Sequence, residues 1–245
     1  MYPNRDKLIL FDADGTIIDA FAAIAETFSR NGMDIGDLES FQKRHKFFKY
    51  LGGIKEFPAN IKKQLGKHSR QQVLTSLTEY YREEAQFYEG IADLLKQLIA
   101  TKGIRVGLVT RNISHDVPLT MRRLFARHDI DLDSLDYFAH VPLRASKAEF
   151  FKAARFQFQT NPALSYACGD EHSDFHSAIA AGMHPFVVSY GFEDYHCLTS
   201  KFEIPRDIIS RTPLALCERV RHALDVESPH LRSTTMRLIT ASAAS

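Results

Sequence analysis

Five short apolar runs separated by helix-like stretches constrain this chain more than any other feature of it. They are "KLILF" (7–11), "IRVGLVT" (104–110), "DYFAH" (136–140), "LSYAC" (164–168) and "PFVVSY" (185–190). Each has the length of a strand and reads as buried, and buried strands alternating with helices belong to parallel sheets covered by helices. The expected fold is α/β, a doubly wound, Rossmann-like parallel sheet. Between the first two runs, residues 12–103 hold no convincing strand but carry helix-like blocks near 20–31, 38–50, 59–66, 70–86 and 90–101. A right-handed crossover needs only about a dozen residues and its helix. Residues 20–88 therefore read as an inserted, all-helical cap subdomain, with the core formed by 1–19 and 89–226. Residues 227–245 are small and polar apart from Met236, Leu238 and Ile239, and read as a weakly docked tail.

Sheets of this kind gather ligands beyond the carboxyl ends of their strands. The first run leads there into "DADGT", with Asp12 and Asp14 one residue apart, and the fourth into "GDEHSD", with Asp170 and Asp174. Carboxylates forced together repel, so they are held by a cation or by splitting roles, one ionised and one protonated. Neighbouring strand ends can bring Asp12, Asp14, Asp170 and Asp174 onto one hard dication, with Mg2+ the expected ion and water and phosphate oxygens completing it. The second run ends at Thr110 in "LVTRN", with backbone donors after it, and the third is followed by Lys147 in "SKAEFF", a point charge. An acidic cluster needs such donors to handle an anion.

Thirty-one Lys and Arg against thirty Asp and Glu leave a net charge of +1, so no global field favours nucleic acid or an anionic membrane. Anion binding has to be local. Cys168, Cys197 and Cys217 are too scattered for a disulfide framework or a zinc site, and a reducing compartment fits them. Cys168 reads as inert core. The apolar run after Arg5, Asp6 and Lys7 is too brief for a signal-peptide core or a membrane span, and a cytoplasmic location is expected. His172 and His176 lack a zinc-protease pattern and read as loop and helix-surface groups. Val73, Leu77, Tyr80 and Tyr81 form the apolar stripe of an amphipathic helix, taken as packing within the cap.

The four motifs resemble those of the haloacid dehalogenase superfamily, which run D-x-D-G-T, then Thr or Ser, then Lys, then G-D-x-x-x-D. They stand here as "DADGT" (12–16), Thr110, Lys147 and "GDEHSD" (169–174), and the likeness covers about residues 7–225. The Lys usually opens a K-P-x-P-E run, whereas "SKAEFFKAA" has neither proline. The insertion after the first motif is similar to the helical cap of the subfamily that includes phosphoglycolate phosphatases and β-phosphoglucomutases. The resemblance implies that Asp12 attacks phosphorus to form an aspartyl phosphate, and that Asp14 serves as general acid and base while giving its backbone carbonyl to Mg2+. It makes Asp170 a metal-ligand carboxylate and Asp174 either a ligand or a group that positions one. Gly15, Thr16, Thr110, Arg111, Asn112 and Lys147 would hold phosphoryl oxygens, with Lys147 offsetting transition-state charge.

The expected activity is magnesium-dependent hydrolysis of a small phosphorylated metabolite by a monomer or homodimer, phosphoglycolate phosphatase-like in type. Two alternatives stand beside it. In β-phosphoglucomutase-like transfer a sugar, not water, intercepts the phosphoenzyme. A catalytically idle binding protein of the same fold would be expected to have lost Asp12, Asp14 or Lys147, and none is lost. In the cap, "FQKRHKFFKYLGGIKEF" (41–57) puts Lys43, Lys46 and Lys49 on one helical face ending at Gly52 and Gly53. That face is either a solvated basic one or a recogniser of a second anionic group, with Lys46, Lys49, Gly52 and Gly53 setting substrate specificity.

Overall fold

In a computed structural model of the chain, which describes residues 5–32 and 70–227, alternate residues of the first strand pack into opposite layers. Strand β1 (Lys7–Phe11) sends Leu8 and Leu10 into a cluster with Val109, Phe151, Ala154 and Ala178, and Ile9 and Phe11 into one with Leu94, Leu98, Met121 and Val220. A strand whose two faces both meet helices is the central strand of a covered sheet. The sequence blocks 38–50 and 59–66, the candidates Lys46, Lys49, Gly52 and Gly53, and the chain beyond residue 227 lie outside the described residues.

After β1 come helices α1 (Ala20–Arg30), α2 (Arg70–Glu83) and α3 (Ile91–Ala100), then β2 (Ile104–Thr110). Helix α4 (Val117–Ala126) leads to β3 (Tyr137–His140), α5 (Lys147–Phe158) to β4 (Ser165–Gly169), and α6 (His172–Ala180) to β5 (His184–Val188). A two-residue strand, β6 (Ile209–Ser210), precedes α7 (Pro213–Leu224). The sheet is parallel throughout, in the order β3-β2-β1-β4-β5-β6. Strand order reverses between β1 and β4, where Phe11 lies opposite Cys168 and the Asp12 amide donates to the Cys168 carbonyl at 2.9 Å. That reversal opens the crevice at which such sheets bind ligands. Asp12 and Asp170 leave the sheet there, side by side.

Strand ends differ from the sequence reading by one or two residues, and the reasons are local. Asp136 is drawn out of β3 because its carboxylate accepts from the Val106 amide at 2.9 Å and from Arg105 Nη1 at 2.8 Å. Ser189 and Tyr190 continue past β5 into a loop, where the Tyr190 hydroxyl donates to the Thr16 carbonyl at 2.9 Å. Strand β6 was not expected, because two residues carry no periodicity to read.

The chain leaves β1 for the helices and returns to the core through a paired ribbon. The Asp19 amide donates to the Gln86 carbonyl at 2.9 Å and the Tyr88 amide to the Ile17 carbonyl at 3.0 Å, around an Ile18–Phe87 bridge. Helix α2, read from its stripe as cap packing, buries Val73, Leu77, Thr78, Tyr80 and Tyr81. It lies against α1 and against α4 of the core. No described helix is long and apolar enough to cross a membrane.

Candidate active site

Immediately after β1 the chain folds into a tight loop in which the Ala13 carbonyl accepts from the Ile17 and Ile18 amides, both at 2.9 Å. The loop needs glycine at position 15, which sits at φ +79° and where a Cβ would fall 2.4 Å from Asp170 Oδ2. Gly169 is required for a similar reason, since a Cβ there would stand 2.3 Å from that of Asp174. Gly15 lets Asp170 approach the loop backbone, and Gly169 lets Asp174 approach the end of β4.

Three acids converge. Asp12, Asp170 and Asp174 are all buried, and each offers a carboxylate oxygen within 4.8 Å of the others'. Lys147, at the start of α5, puts Nζ 2.8 Å from Asp12 Oδ1 and 2.7 Å from Asp174 Oδ1. The other Asp174 oxygen, Oδ2, accepts from the Glu171 amide at 3.1 Å, which ties Asp174 to the first turn of its own helix. Asp170 Oδ2 accepts from the Phe192 amide at 2.6 Å, and Oδ1 from Thr16 Oγ1 at 3.4 Å. At Asp12 the Ala13 amide shares Oδ1 at 2.8 Å. Neither donor uses Oδ2.

Three carboxylates against one ammonium leave a buried site short of positive charge. Burial raises the Asp12 carboxyl to about 7, with Lys147 opposing and the Asp174 and Asp14 charges adding. Asp170 is pushed up strongly, first by burial and then by Asp12, Glu171 and Asp174. At Lys147 burial pulls the ammonium down, but Asp12 and Asp174 outweigh it and the net effect is upward. A set of close, hard oxygen donors with uncompensated charge fits a divalent cation such as Mg2+.

Asp14 stands apart from that trio. Its carboxylate accepts from the Tyr81 hydroxyl at 2.5 Å (Oδ1) and from Asn112 Nδ2 at 3.1 Å (Oδ1) and 3.0 Å (Oδ2). The cluster read from sequence as four converging carboxylates is thus Asp12, Asp170 and Asp174, with the fourth side chain turned to neutral donors. Burial raises the Asp14 carboxyl, and the Tyr81 and Asn112 hydrogen bonds oppose that.

The remaining candidates have defined places. Thr110 is fully buried, its Oγ1 accepting from the Asn112 amide at 3.0 Å. Arg111 Nη2 donates to the Ala145 carbonyl at 3.0 Å, spanning to the loop before Lys147. Asn112, expected at a phosphate, turns its side-chain amide to Asp14. His172 Nδ1 pairs with Glu193 Oε1 at 2.7 Å and its ring stacks on Phe202, 3.7 Å between centroids. His172 and His176 line a cavity of about 610 Å³ with Arg111, Arg144 and Ser173. Cys168 is buried, and burial pushes its thiol up, as suits an inert core group.

Tyr81 is the site residue that the sequence did not reveal. It lies 67 positions from Asp14. Its place on the apolar stripe of α2 made it indistinguishable from a packing residue, and no spacing rule connects a helix in the insertion to the loop after β1.

A family model described as haloacid dehalogenase-like hydrolase matches residues 9–188, well over half of the chain. Among curated proteins, no sequence matches this one. Among solved structures, a haloacid dehalogenase-like family hydrolase from Streptococcus pneumoniae is similar at TM-score 0.57 and 20% identity, over 88% of this chain and 99% of that one. A protein provisionally named phosphoglycolate phosphatase from Lactobacillus delbrueckii subsp. bulgaricus reaches TM-score 0.59 at 19% identity, over 88% and 98%. One provisionally named β-phosphoglucomutase, from Thermotoga maritima, also reaches 0.59, at 16% identity over 88% and 99%. The last two likenesses are equal, so the fold does not separate the phosphatase type from the mutase type.

Proposed function

The chain belongs to the haloacid dehalogenase-like hydrolases, and from that premise we propose that it is a magnesium-dependent phosphatase, hydrolysing a small phosphomonoester through an aspartyl phosphate on Asp12. The observation that carries the reading is the unequal treatment of two neighbouring acids. Asp12 is paired with a buried ammonium, whereas Asp14 is held by an alcohol and an amide. Environments that differ in this way support different roles for adjacent carboxyl groups, here a nucleophile and a proton carrier.

In the first half-reaction Asp12 Oδ2, the oxygen that Lys147 and the Ala13 amide do not occupy, forms a bond to phosphorus as the bond to the leaving oxygen breaks. Asp14 gives that oxygen its proton. In the second, Asp14 takes a proton from water as the water oxygen bonds to phosphorus and the Asp12–phosphorus bond breaks, releasing inorganic phosphate. Lys147 and the backbone donors after Thr110 offset the charge spread over the phosphoryl oxygens. Asp12, Asp170 and Asp174, with the Asp14 carbonyl, would hold Mg2+. When bound, the ion supplies electrostatic stabilisation of the phosphoryl group in transfer.

The substrate is read as a small metabolite of the phosphoglycolate type. A protein provisionally named for that activity shares the fold, and Lys46 and Lys49, with Gly52 and Gly53, are the proposed recognisers of a second anionic group. The test is turnover of a phosphomonoester panel, acidic and neutral, with magnesium and with chelator. Magnesium-dependent release of phosphate supports the reading. Phosphoryl transfer to a sugar phosphate without net phosphate release would place the chain with the mutases.

A further inference from the structure

The clamp on Asp14 is built from two elements that are themselves tied together. Helix α2 and the loop after β2 meet at His115, whose amide donates to Thr78 Oγ1 at 2.9 Å and whose carbonyl accepts from Arg82 Nη2 at 2.8 Å. Thr120 Oγ1 also donates to that carbonyl, at 2.9 Å, and accepts from Arg82 Nε at 3.0 Å. Between Thr78 and Arg82 on α2, Tyr81 is fully buried with its hydroxyl on Asp14. From the loop side, Asn112 can present only one group. Its Oδ1 already accepts from the Ser114 amide at 2.9 Å and from Ser114 Oγ at 2.5 Å, so the amide nitrogen has to face the carboxylate. Its carbonyl is in turn held by His140 Nε2 at 3.1 Å.

The two oxygens of Asp14 are therefore unequal. Oδ1 receives the Tyr81 hydroxyl and a share of the Asn112 amide, while Oδ2 receives only the Asn112 share. We propose that Tyr81 is a positioning residue for proton transfer: by occupying Oδ1 it makes Oδ2 the proton-carrying oxygen and fixes its direction toward the leaving group. The inference rests on the reading of Asp14 as the acid and base. The proton leaves Oδ2 as the bond from phosphorus to the leaving oxygen breaks, and returns to Oδ2 from the attacking water. Tyr81 stays a donor throughout, its hydroxyl directed at Oδ1 and taking no part in the transfer.

A packing role and a positioning role make different demands. A tyrosine that only fills the core would, when altered, affect all substrates alike. One that aims a proton matters where the leaving group needs it, and hardly at all where the leaving oxygen is a stable phenolate. The experiment compares kcat/KM for an alkyl phosphate and for p-nitrophenyl phosphate in wild type, Tyr81→Phe, Asp14→Asn and the double variant, with magnesium and with melting temperatures recorded. Tyr81→Phe is expected to lose about 10-fold or more on the alkyl ester and less than about 3-fold on the aryl ester, and to add nothing in the Asp14→Asn background. Equal losses on both esters, no loss, or a full further loss in the double variant would overturn the proposal. An Asp14→Asn variant that itself treats the two esters alike removes the acid and base reading, and this inference with it. If Tyr81→Phe does not fold, Arg82→Met cuts the tie to the His115 carbonyl and leaves Tyr81 in place. It is expected to give a smaller loss of the same alkyl selectivity, and an unselective effect would overturn the proposal.

Discussion

The ammonium of Lys147 stands 2.8 Å from Asp12 Oδ1 and 2.7 Å from Asp174 Oδ1 with all three groups buried, so each carboxylate supports the charge of the ammonium and is supported by it. Removing one partner of a buried pair leaves the other uncompensated, which costs about 3–5 kcal/mol. Lys147→Met should therefore lower the melting temperature by roughly 6–20 °C in metal-free protein, at about 2–4 °C per kcal/mol for a chain of this size. Adding Asp12→Asn should restore part of the loss, measured by calorimetry on all three proteins. Purely additive effects would show that the two groups do not depend on each other.

Asp12→Asn should abolish turnover while leaving the fold intact. Its stability relative to wild type should also change with pH in a direction opposite to that of an ordinary ion-paired aspartate. The Asp12 carboxyl is raised by burial from 3.8 to about 7, against the opposing Lys147 charge. Its contribution to stability is complete below pH 4 and is lost as the pH climbs through 7. In chelator, the Asn variant should gain on wild type between pH 4 and pH 8, read from urea midpoints across that range. A gain that shrinks with rising pH would contradict the burial argument.

Magnesium should stabilise the protein independently of any substrate. At a concentration about 100 times its dissociation constant a ligand contributes about 2.7 kcal/mol, or about 5–10 °C here. Asp170→Asn should remove most of that shift, because the residue is one of the three clustered carboxylates and has no ammonium partner among the described residues. Thermal melts with and without magnesium decide it. A shift of full size in the variant would place the cation elsewhere.

Asp14→Asn should slow turnover by about 100 to 10,000-fold, the usual worth of a general acid or base, with alkyl esters suffering more than aryl esters. The magnesium-induced melting shift should survive in this variant, since its carboxylate is outside the acidic trio. Loss of that shift would instead mark the side chain as a ligand.

The core of the site was legible because strand ends are. A buried apolar run ending in an acid places that acid at the carboxyl edge of a parallel sheet, as for Asp12 and Asp170; Thr110, a weak signal by itself, stood out through the order of the strand-end residues and the family resemblance. Lys147 and Asp174 follow from helices that begin at the same edge. What escaped reading depends on packing between distant segments. The separation of Asp14 from the acidic trio goes with the donors that face its carboxylate, Tyr81 and Asn112. Asn112 illustrates the limit: nothing in its place after a strand foretells a bond to Asp14, and the Ser114 bonds to its amide oxygen are what turn its nitrogen there.

The ribbon in which Ile18 meets Phe87 has a consequence for how such enzymes diversify. An excursion that departs and returns at one point can be exchanged for another of different length, because closing a longer loop adds little entropy cost. Here the excursion also carries Tyr81, which touches the acid at the catalytic loop. A lineage that swapped this segment would discard a hydrogen-bond donor to Asp14 in the same event. If Asp14 is the acid and base proposed above, the segment between Ile18 and Phe87 and the chemistry at the core would change together, through one phenol.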